Sequence, residues 1–181
     1  MGLDKARGVE TPASKETGKN ERNLDRFLKD KDAKWFRQMA RTALYLSVDR
    51  PTIQFAVSQI ATGMLQPTEL HLLHVRRLVR YLVKHPTEQW RFDLQDEPDS
   101  LHIYCDSDWA TCNKSRKSMS CYAVKYGLHL LDTSCARQTV IAPSSGEAEY
   151  YALTRGASAG WLVKGVYEEI GRRLLMDDLP Y

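Results

Sequence analysis

The 181-residue chain suits one or two small domains, and its 43% hydrophobic share is typical of a globular protein with a buried core. A formal net charge of +3 is too small to indicate nucleic-acid binding by itself. No apolar run reaches the roughly 20 residues that cross a bilayer, and the N-terminus lacks an apolar signal core. We therefore expect an intracellular protein, cytoplasmic or nuclear, with no membrane partner.

The cysteines are Cys105, Cys112, Cys121 and Cys135. They lie too far apart for the paired Cys-x-x-Cys spacing of a zinc site. Because an intracellular chain would keep them reduced, the sequence predicts small, buried or half-exposed thiols.

The first part of the chain is predicted to be a polar tail followed by a helical segment. Residues 1–31 are polar and have no sustained apolar period, which is typical of a tail or linker. From 32 to about 47 apolar residues recur at helical spacing, and Asp32 can serve as N-cap.

Two further helices complete a predicted helical segment over 32–92. Pro51 can occupy the first turn of the second helix, which Gly63 closes. Thr68 is the expected N-cap of the third, which stops before Pro86 because the residue preceding a proline disfavours the helical conformation.

Basic residues form a stripe on the third helix. Arg76, Arg80 and Lys84 are four residues apart, and Arg77 is adjacent. A phosphate backbone could lie along this stripe, so these four residues are candidate nucleic-acid contacts. The same pattern is at least as typical of the solvated face of an amphipathic helix.

After the polar residues 93–100 the apolar period changes from helix to strand, which predicts a second domain over 100–181. The predicted elements are strands over 101–105 and 120–126, a third strand over 128–134 or 138–141, and a helix over 145–170. Three antiparallel strands followed by a helix that packs on them, after a helical segment, make a mixed α/β (α+β) fold.

Two acids end the first predicted strand. Asp106 and Asp108 would point to the same face, because side chains alternate along a strand. Carboxylates at a strand end suit Mg²⁺, which takes a few protein oxygens together with water and phosphate oxygens. Most Asp-x-Asp pairs are surface acids, and some belong to sugar-nucleotide transferases, so both alternatives stay open.

The last predicted helix begins with two more acids. Ser144 and Glu147 fit a capping box, which gives Glu147 a structural role. Glu149 lies about 200° around the helix from Glu147, on the side of small and apolar residues. We therefore predict Glu149 as a metal ligand together with Asp106 and, second, Asp108. Two-metal hydrolysis of a phosphodiester requires more carboxylates than these.

Several separated motifs resemble the Pol polyproteins of copia-type LTR retrotransposons. Residues 49–57 and 77–82 are similar to the region that follows the reverse-transcriptase palm. Residues 104–110, 116–118, 138–140 and 144–153 are similar to the ribonuclease H domain.

The resemblance implies a ribonuclease H-like fold and hydrolysis of the RNA strand of an RNA–DNA hybrid with Mg²⁺ or Mn²⁺. Asp106 would be the catalytic acid of the first strand and Glu149 that of the helix. Lys114, Arg116 and Lys117 would lie near the hybrid backbone. The implied partners are an RNA–DNA hybrid or other nucleic acid and the rest of the polyprotein.

Two departures qualify this expectation. The family continues past the helix into a strand ending in an Asp-Asn pair that supplies a further metal ligand, whereas this chain ends at Tyr181. The palm motif Tyr-x-Asp-Asp is absent. The sequence therefore predicts a truncated ribonuclease H-like domain, inactive or weak as an isolated chain. The alternative is a non-catalytic module that binds an RNA–DNA hybrid or DNA.

Overall fold

The structure is a computed structural model that describes residues 7–13, 24–111 and 115–177. The elements are helices α1 (Asp30–Leu46), α2 (Gln54–Ala61) and α3 (Glu69–Lys84), strands β1 (Leu101–Asp108), β2 (Met119–Tyr126) and β3 (His129–Arg137), and helix α4 (Ser145–Asp177). The predicted mixed fold, with helices before a three-stranded antiparallel sheet and one helix after it, is confirmed. The chain divides into two compact units, Met1–Gln89 and Trp90–Tyr181.

The first unit is built around the apolar faces of its three helices. On α1 the buried residues are spaced by three or four, so they share one face. The buried core consists of Phe36, Ala40, Ala43, Ile53, Ala56, Val57, Ile60, Val75 and Leu78. A short 3-10 turn at Pro51–Ile53 leads into α2.

The predicted N-cap of α1 is wrong. The helix begins at Asp30, and Lys29 occupies the cap position without a side-chain cap bond. Asp32 lies inside the first turn, where its negative charge still favours the positive end of the helix dipole. A cap and a first-turn acid cannot be distinguished by residue type alone.

The start of α3 at Thr68 is confirmed, and His71 completes it. The Thr68 amide donates to His71 Nδ1 at 3.1 Å, so His71 takes the place that Glu or Gln has in a usual capping box. Because Nδ1 accepts, the ring proton resides on Nε2, which lies 3.2 Å from the hydroxyl of Thr62 at the end of α2. One imidazole thus connects two helix ends.

The sheet of the second unit has the order β1-β2-β3, and both neighbouring pairs are antiparallel. β1 runs three residues beyond its predicted end, to Asp108, in unbroken register with β2. The turn between β2 and β3 contains Gly127 with φ of +57°, a conformation that favours glycine. The third strand corresponds to the 128–134 prediction, and residues 138–141 lie outside it.

Helix α4 lies antiparallel to β1 on one face of the sheet. A Cβ atom at Gly156 would meet Cys105 Sγ, and one at Gly160 would meet Ile103 Cδ1. Ala148 and Ala152 are buried on the same side of the helix. Small residues therefore bring the helix into direct contact with the strand.

The expectation that the cysteines stay reduced is wrong for one pair. Cys121 and Cys135 form a disulfide between β2 and β3. The strand register places them directly opposite each other, with Cα atoms 4.1 Å apart. Cys105 is a free thiol, and Cys112 lies outside the described residues.

The contact between α4 and β1 predicts opposite effects for two glycine substitutions. Gly156→Ala should lower the free energy of unfolding by roughly 1–3 kcal/mol, since the new methyl overlaps Cys105. Gly165→Ala, in the same helix with no atom within 4 Å of its added Cβ, should raise it by about 0.5–1 kcal/mol. Urea unfolding of both variants measures this, and equal effects would contradict the packing.

Candidate functional site

The acids of β1 lie on the face of the sheet away from α4. Cys105 contacts the helix, so alternation along the strand directs Asp106 and Asp108 to the other face. Both are exposed. Asp106 pairs with Cys121 and Asp108 with Met119 across to β2.

The acids of α4 have different surroundings. Ser144 Oγ accepts a hydrogen bond from the Glu147 amide at 3.2 Å, as the predicted N-cap requires. The capping box is only half formed, because the Glu147 carboxylate accepts from the Tyr151 hydroxyl at 2.8 Å and not from the amide of the cap residue; this bond raises the pKa of Tyr151. Glu149 is exposed, and its carboxylate lies 3.4 Å from the Ser145 hydroxyl.

The acidic end of β1 and the Glu149 turn of α4 lie at one end of the second unit, on different faces of the sheet. Glu149 precedes Gly156 by two helical turns, about 10 Å along the helix. From Cys105, which faces Gly156, β1 advances about 10 Å to Asp108. Because the two elements are antiparallel, Glu149 and the acidic end of β1 lie at the same level, with the helix on one face and the Asp side chains on the other.

Exposed carboxylate oxygens have the donor chemistry that Mg²⁺ prefers. Across residues 7–13, 24–111 and 115–177, however, no group of three or more His, Cys, Asp or Glu side chains is arranged to hold a metal ion. Asp106, Asp108 and Glu149 are therefore not brought together as one ligand cluster, and a cation at any of them would take its remaining ligands from water, phosphate or additional protein groups.

A buried polar group fastens the start of α4 to the sheet. Gln138 Nε2 donates to the Ser120 hydroxyl at 2.8 Å and to the Ala148 carbonyl at 2.9 Å. Trp109, directly after β1, donates from its indole nitrogen to the Ala142 carbonyl at 3.0 Å. These bonds position the helix turn that carries Glu149. Residue type alone did not identify Gln138, because its role depends on what the fold places beside it.

The basic loop after β1 is described in part. Arg116 is exposed, and its guanidinium lies 5.9 Å from the centre of the Trp109 ring. Lys117 donates to the Thr139 carbonyl. Lys114 lies outside the described residues. The Arg116–Trp109 pair therefore presents a cation and an aromatic surface beside the acidic strand end.

The basic stripe of α3 is partly covered by residues 7–13, the cover segment. Its contacts are Arg77 with the Thr11 hydroxyl at 2.7 Å, Arg80 with the Arg7 carbonyl at 2.7 Å, and Lys84 with the Glu10 carboxylate. The hydrogen bond and charge of Lys84 lower the pKa of Glu10. Arg76 is exposed. Nothing in the composition of the polar N-terminus indicated this contact.

The chain is similar over most of its length to retrovirus-related Pol polyproteins of Arabidopsis thaliana. It is 32% identical to that of transposon RE1 over 146 residues, 81% of this chain and 10% of the relative. It is 30% identical to the polyprotein of transposon RE2 over 139 residues, which are 77% of this chain and 10% of the relative. An uncharacterized mitochondrial protein of the same plant is 31% identical over 123 residues, which are 68% of this chain and 51% of the relative. No protein-family model and no solved structure matches the chain.

The chain belongs to the Pol polyproteins of copia-type LTR retrotransposons. It spans about a tenth of the length of the two polyproteins that it matches. Among the described residues no helix is long and apolar enough to cross a membrane.

The role of Gln138 leads to a stability prediction. Gln138→Leu, which keeps the side-chain volume, should lower the free energy of unfolding by about 1–3 kcal/mol, because the buried Ser120 hydroxyl loses its donor. Amides 147–153 should also exchange faster with deuterium. Gln66→Leu, at an exposed position, is the control. Equal stability and exchange in the two variants would count against Gln138 as the fastening residue.

Proposed function

We propose that the second unit contributes Asp106 and Glu149 to a ribonuclease H-type metal centre that hydrolyses the RNA strand of an RNA–DNA hybrid. The observation that carries the proposal is that the acidic end of β1 and the Glu149 turn of α4 lie at the same end of the unit, although the Asp side chains face away from α4. Membership of the Pol polyproteins supports the substrate class. Bound Mg²⁺ or Mn²⁺ supplies activation of water and stabilisation of the leaving oxygen.

The contacts of the acids support their different roles. The Glu147 carboxylate is engaged by the Tyr151 hydroxyl one helical turn later, which supports a structural role for it and not a ligand role. Glu149 has only a long contact with Ser145 among its described hydrogen bonds, so its carboxylate is available to a cation. Asp108 shares the exposed face of Asp106 and is the third proposed ligand.

The isolated chain should cleave slowly or not at all. Two-metal hydrolysis needs more than two carboxylates to hold its cations, and the described residues offer no group of three ligands. We therefore assign completion of the site to another part of the polyprotein. The chain by itself would hold one cation weakly, with water in the remaining positions.

Metal binding distinguishes the two glutamates. In NMR spectra of the 181-residue chain, Mn²⁺ should broaden the signals around Asp106 and Glu149. Asp106→Asn and Glu149→Gln should each weaken binding roughly tenfold or more, as loss of a carboxylate from a weak oxygen site does. Glu147→Gln is the matched control and should bind like the natural chain.

The same variants test the chemistry. A longer polyprotein segment should cleave a hybrid with Mg²⁺, and Asp106→Asn should abolish this cleavage. Efficient Mg²⁺-dependent cleavage by the 181-residue chain would show that its site is already complete. If the broadening by Mn²⁺ persists in both Asp106→Asn and Glu149→Gln, these two residues are not the metal ligands.

A second candidate function is nucleic-acid binding without cleavage. It is favoured by the exposed Arg76 on α3 and by the Arg116–Trp109 pair in the second unit. Cations bind phosphates, and an aromatic ring can stack on a base. For this second function, the cover segment regulates access to the α3 stripe, because Glu10 pairs with Lys84 where a phosphate would bind.

Removing residues 1–13 should therefore strengthen binding to a hybrid. The deletion would free Arg77, Arg80 and Lys84 to contact phosphates. The slope of the logarithm of the binding constant against the logarithm of the salt concentration should therefore steepen by about 2–3. Fluorescence anisotropy with a labelled hybrid at several salt concentrations measures both quantities. Lys31→Gln, on the exposed part of α1, is the control. Unchanged affinity and slope after the deletion would rule out the stripe as a phosphate contact.

A further inference from the structure

The cover segment, residues 7–13, is held against the first unit near both of its ends. A Cβ atom at Gly8 would meet the Cβ atom of Lys84, so the backbone there lies directly on α3. Ala13, at the other end, packs against the buried core of the unit. The residues between these two contacts therefore have a defined place beside the basic stripe.

Thr11 lies between the two contacts and is exposed. Its hydroxyl accepts a hydrogen bond at 2.7 Å from Nη2 of Arg77, which is 66 residues away in the chain. Pro12 follows, and no other Ser or Thr of the sequence precedes a proline. The residue before a proline favours an extended backbone, and residues 7–13 form neither helix nor strand. Thr-Pro in an extended segment is the acceptor sequence of proline-directed protein kinases.

The guanidinium of Arg77 has a second donor beside Thr11. Its Nε is shielded from solvent, and among the described residues it has no hydrogen-bond partner. A phosphate carries three acceptor oxygens and can accept from both nitrogens of an arginine fork, whereas the present hydroxyl accepts from Nη2 alone. A shielded N–H without an acceptor is costly. Arg77 is therefore better matched to a phosphate on Thr11 than to the hydroxyl.

The charges around Thr11 also favour a phosphate. Arg80 follows Arg77 by three residues, on the same side of α3, and donates to the backbone of the cover segment at 2.7 Å. Glu10 is engaged by Lys84, about two helical turns from Arg77, so its negative charge is balanced away from this point. A phosphothreonine adds roughly 1.5 to 2 negative charges, which orders a segment that lies opposite arginines.

We propose that Thr11 is a phosphorylation site and that its phosphate, held by Nε and Nη2 of Arg77, fastens the cover segment over the α3 stripe. A protein kinase transfers the γ-phosphoryl group of a nucleoside triphosphate. The bond from the γ-phosphorus to the bridging oxygen breaks, a bond to Thr11 Oγ forms, the hydroxyl proton goes to the base of the kinase, and a nucleoside diphosphate leaves. This goes beyond both proposed functions, and its tests use neither nucleic acid nor cleavage.

Phosphate transfer tests the acceptor residue. A proline-directed kinase with a radiolabelled nucleoside triphosphate should label the 181-residue chain, and mass spectrometry should locate the phosphate at Thr11. Thr11→Val should abolish the labelling, and Pro12→Ala should strongly reduce it. Thr87→Val, at another exposed threonine, is the control and should be labelled like the natural chain. A chain that stays unlabelled, or that is labelled elsewhere, would overturn the assignment of Thr11.

The contact with Arg77 has its own measurement. In ³¹P NMR of the full chain phosphorylated at Thr11, the second pKa of the phosphate should lie below that of a phosphothreonine peptide, because the adjacent guanidinium favours the doubly charged form. Arg77→Gln should return this pKa to the peptide value. Arg76→Gln, at the preceding, exposed position of α3, is the matched control and should leave the pKa lowered. Equal pKa values in the natural chain and in Arg77→Gln would overturn the contact.

Two further measurements need no substitution, so they remain decisive even if Arg77→Gln does not fold. On phosphorylation the Nε–H signal of Arg77 should move downfield in NMR spectra. The amides of residues 8–11 and 13 should exchange with deuterium roughly tenfold more slowly, as expected for new hydrogen bonds between charged groups. An unchanged Nε–H signal together with unchanged exchange would show that the phosphate does not fasten the cover segment.

Discussion

Direct contact between α4 and β1 at Gly156 and Gly160 determines the rest of the second unit. Each glycine weakens an isolated helix by about 1 kcal/mol relative to alanine, so the sequence accepts a local cost for close packing. With Cys105 beneath the helix, Asp106 must face the other way. The same contact fixes the helix direction, which places Glu149 at the level of the acidic strand end, on the opposite face of the sheet from the Asp106 side chain.

In the first unit, some arginines stabilise the fold by hydrogen bonds to backbone carbonyls, and others lie on the charged surface. Arg37 donates to the Met64 carbonyl at 3.0 Å, and Arg50 donates to the carbonyls of His85 and Pro86. These carbonyls follow helix ends, where backbone acceptors need partners outside the helix. The number of basic residues therefore overstates the charge available to a ligand. Arg76, exposed on α3, is a better indicator than the net charge of the chain.

Local signals predicted what depends on local chemistry. Thr68 and the proline after His85 marked both ends of α3, and Gly127 marked the hairpin turn. The end of β1 was missed because polar residues on an exposed strand face look like a loop. The third strand was ambiguous because the bulge at Leu131 breaks the alternation on which strand prediction rests.

Features that depend on packing could not be predicted in the same way. The acids of the candidate site were identified from spacing, but the faces that they occupy follow from which side of the sheet α4 covers. The Cys121–Cys135 pair depends on strand register, which residue spacing does not specify. The contact of Glu10 with Lys84 joins residues far apart in a sequence whose N-terminal part has no apolar pattern.

The disulfide has a further consequence for the integrity of the chain. The residues that it joins are 14 apart and enclose the turn at Gly127 and the exposed Leu128. A protease that cut this turn would divide the polypeptide between β2 and β3, yet the two pieces would remain covalently attached. The strands of the sheet could then stay together although the polypeptide had been cut, until a reductant broke the disulfide and let the two pieces separate.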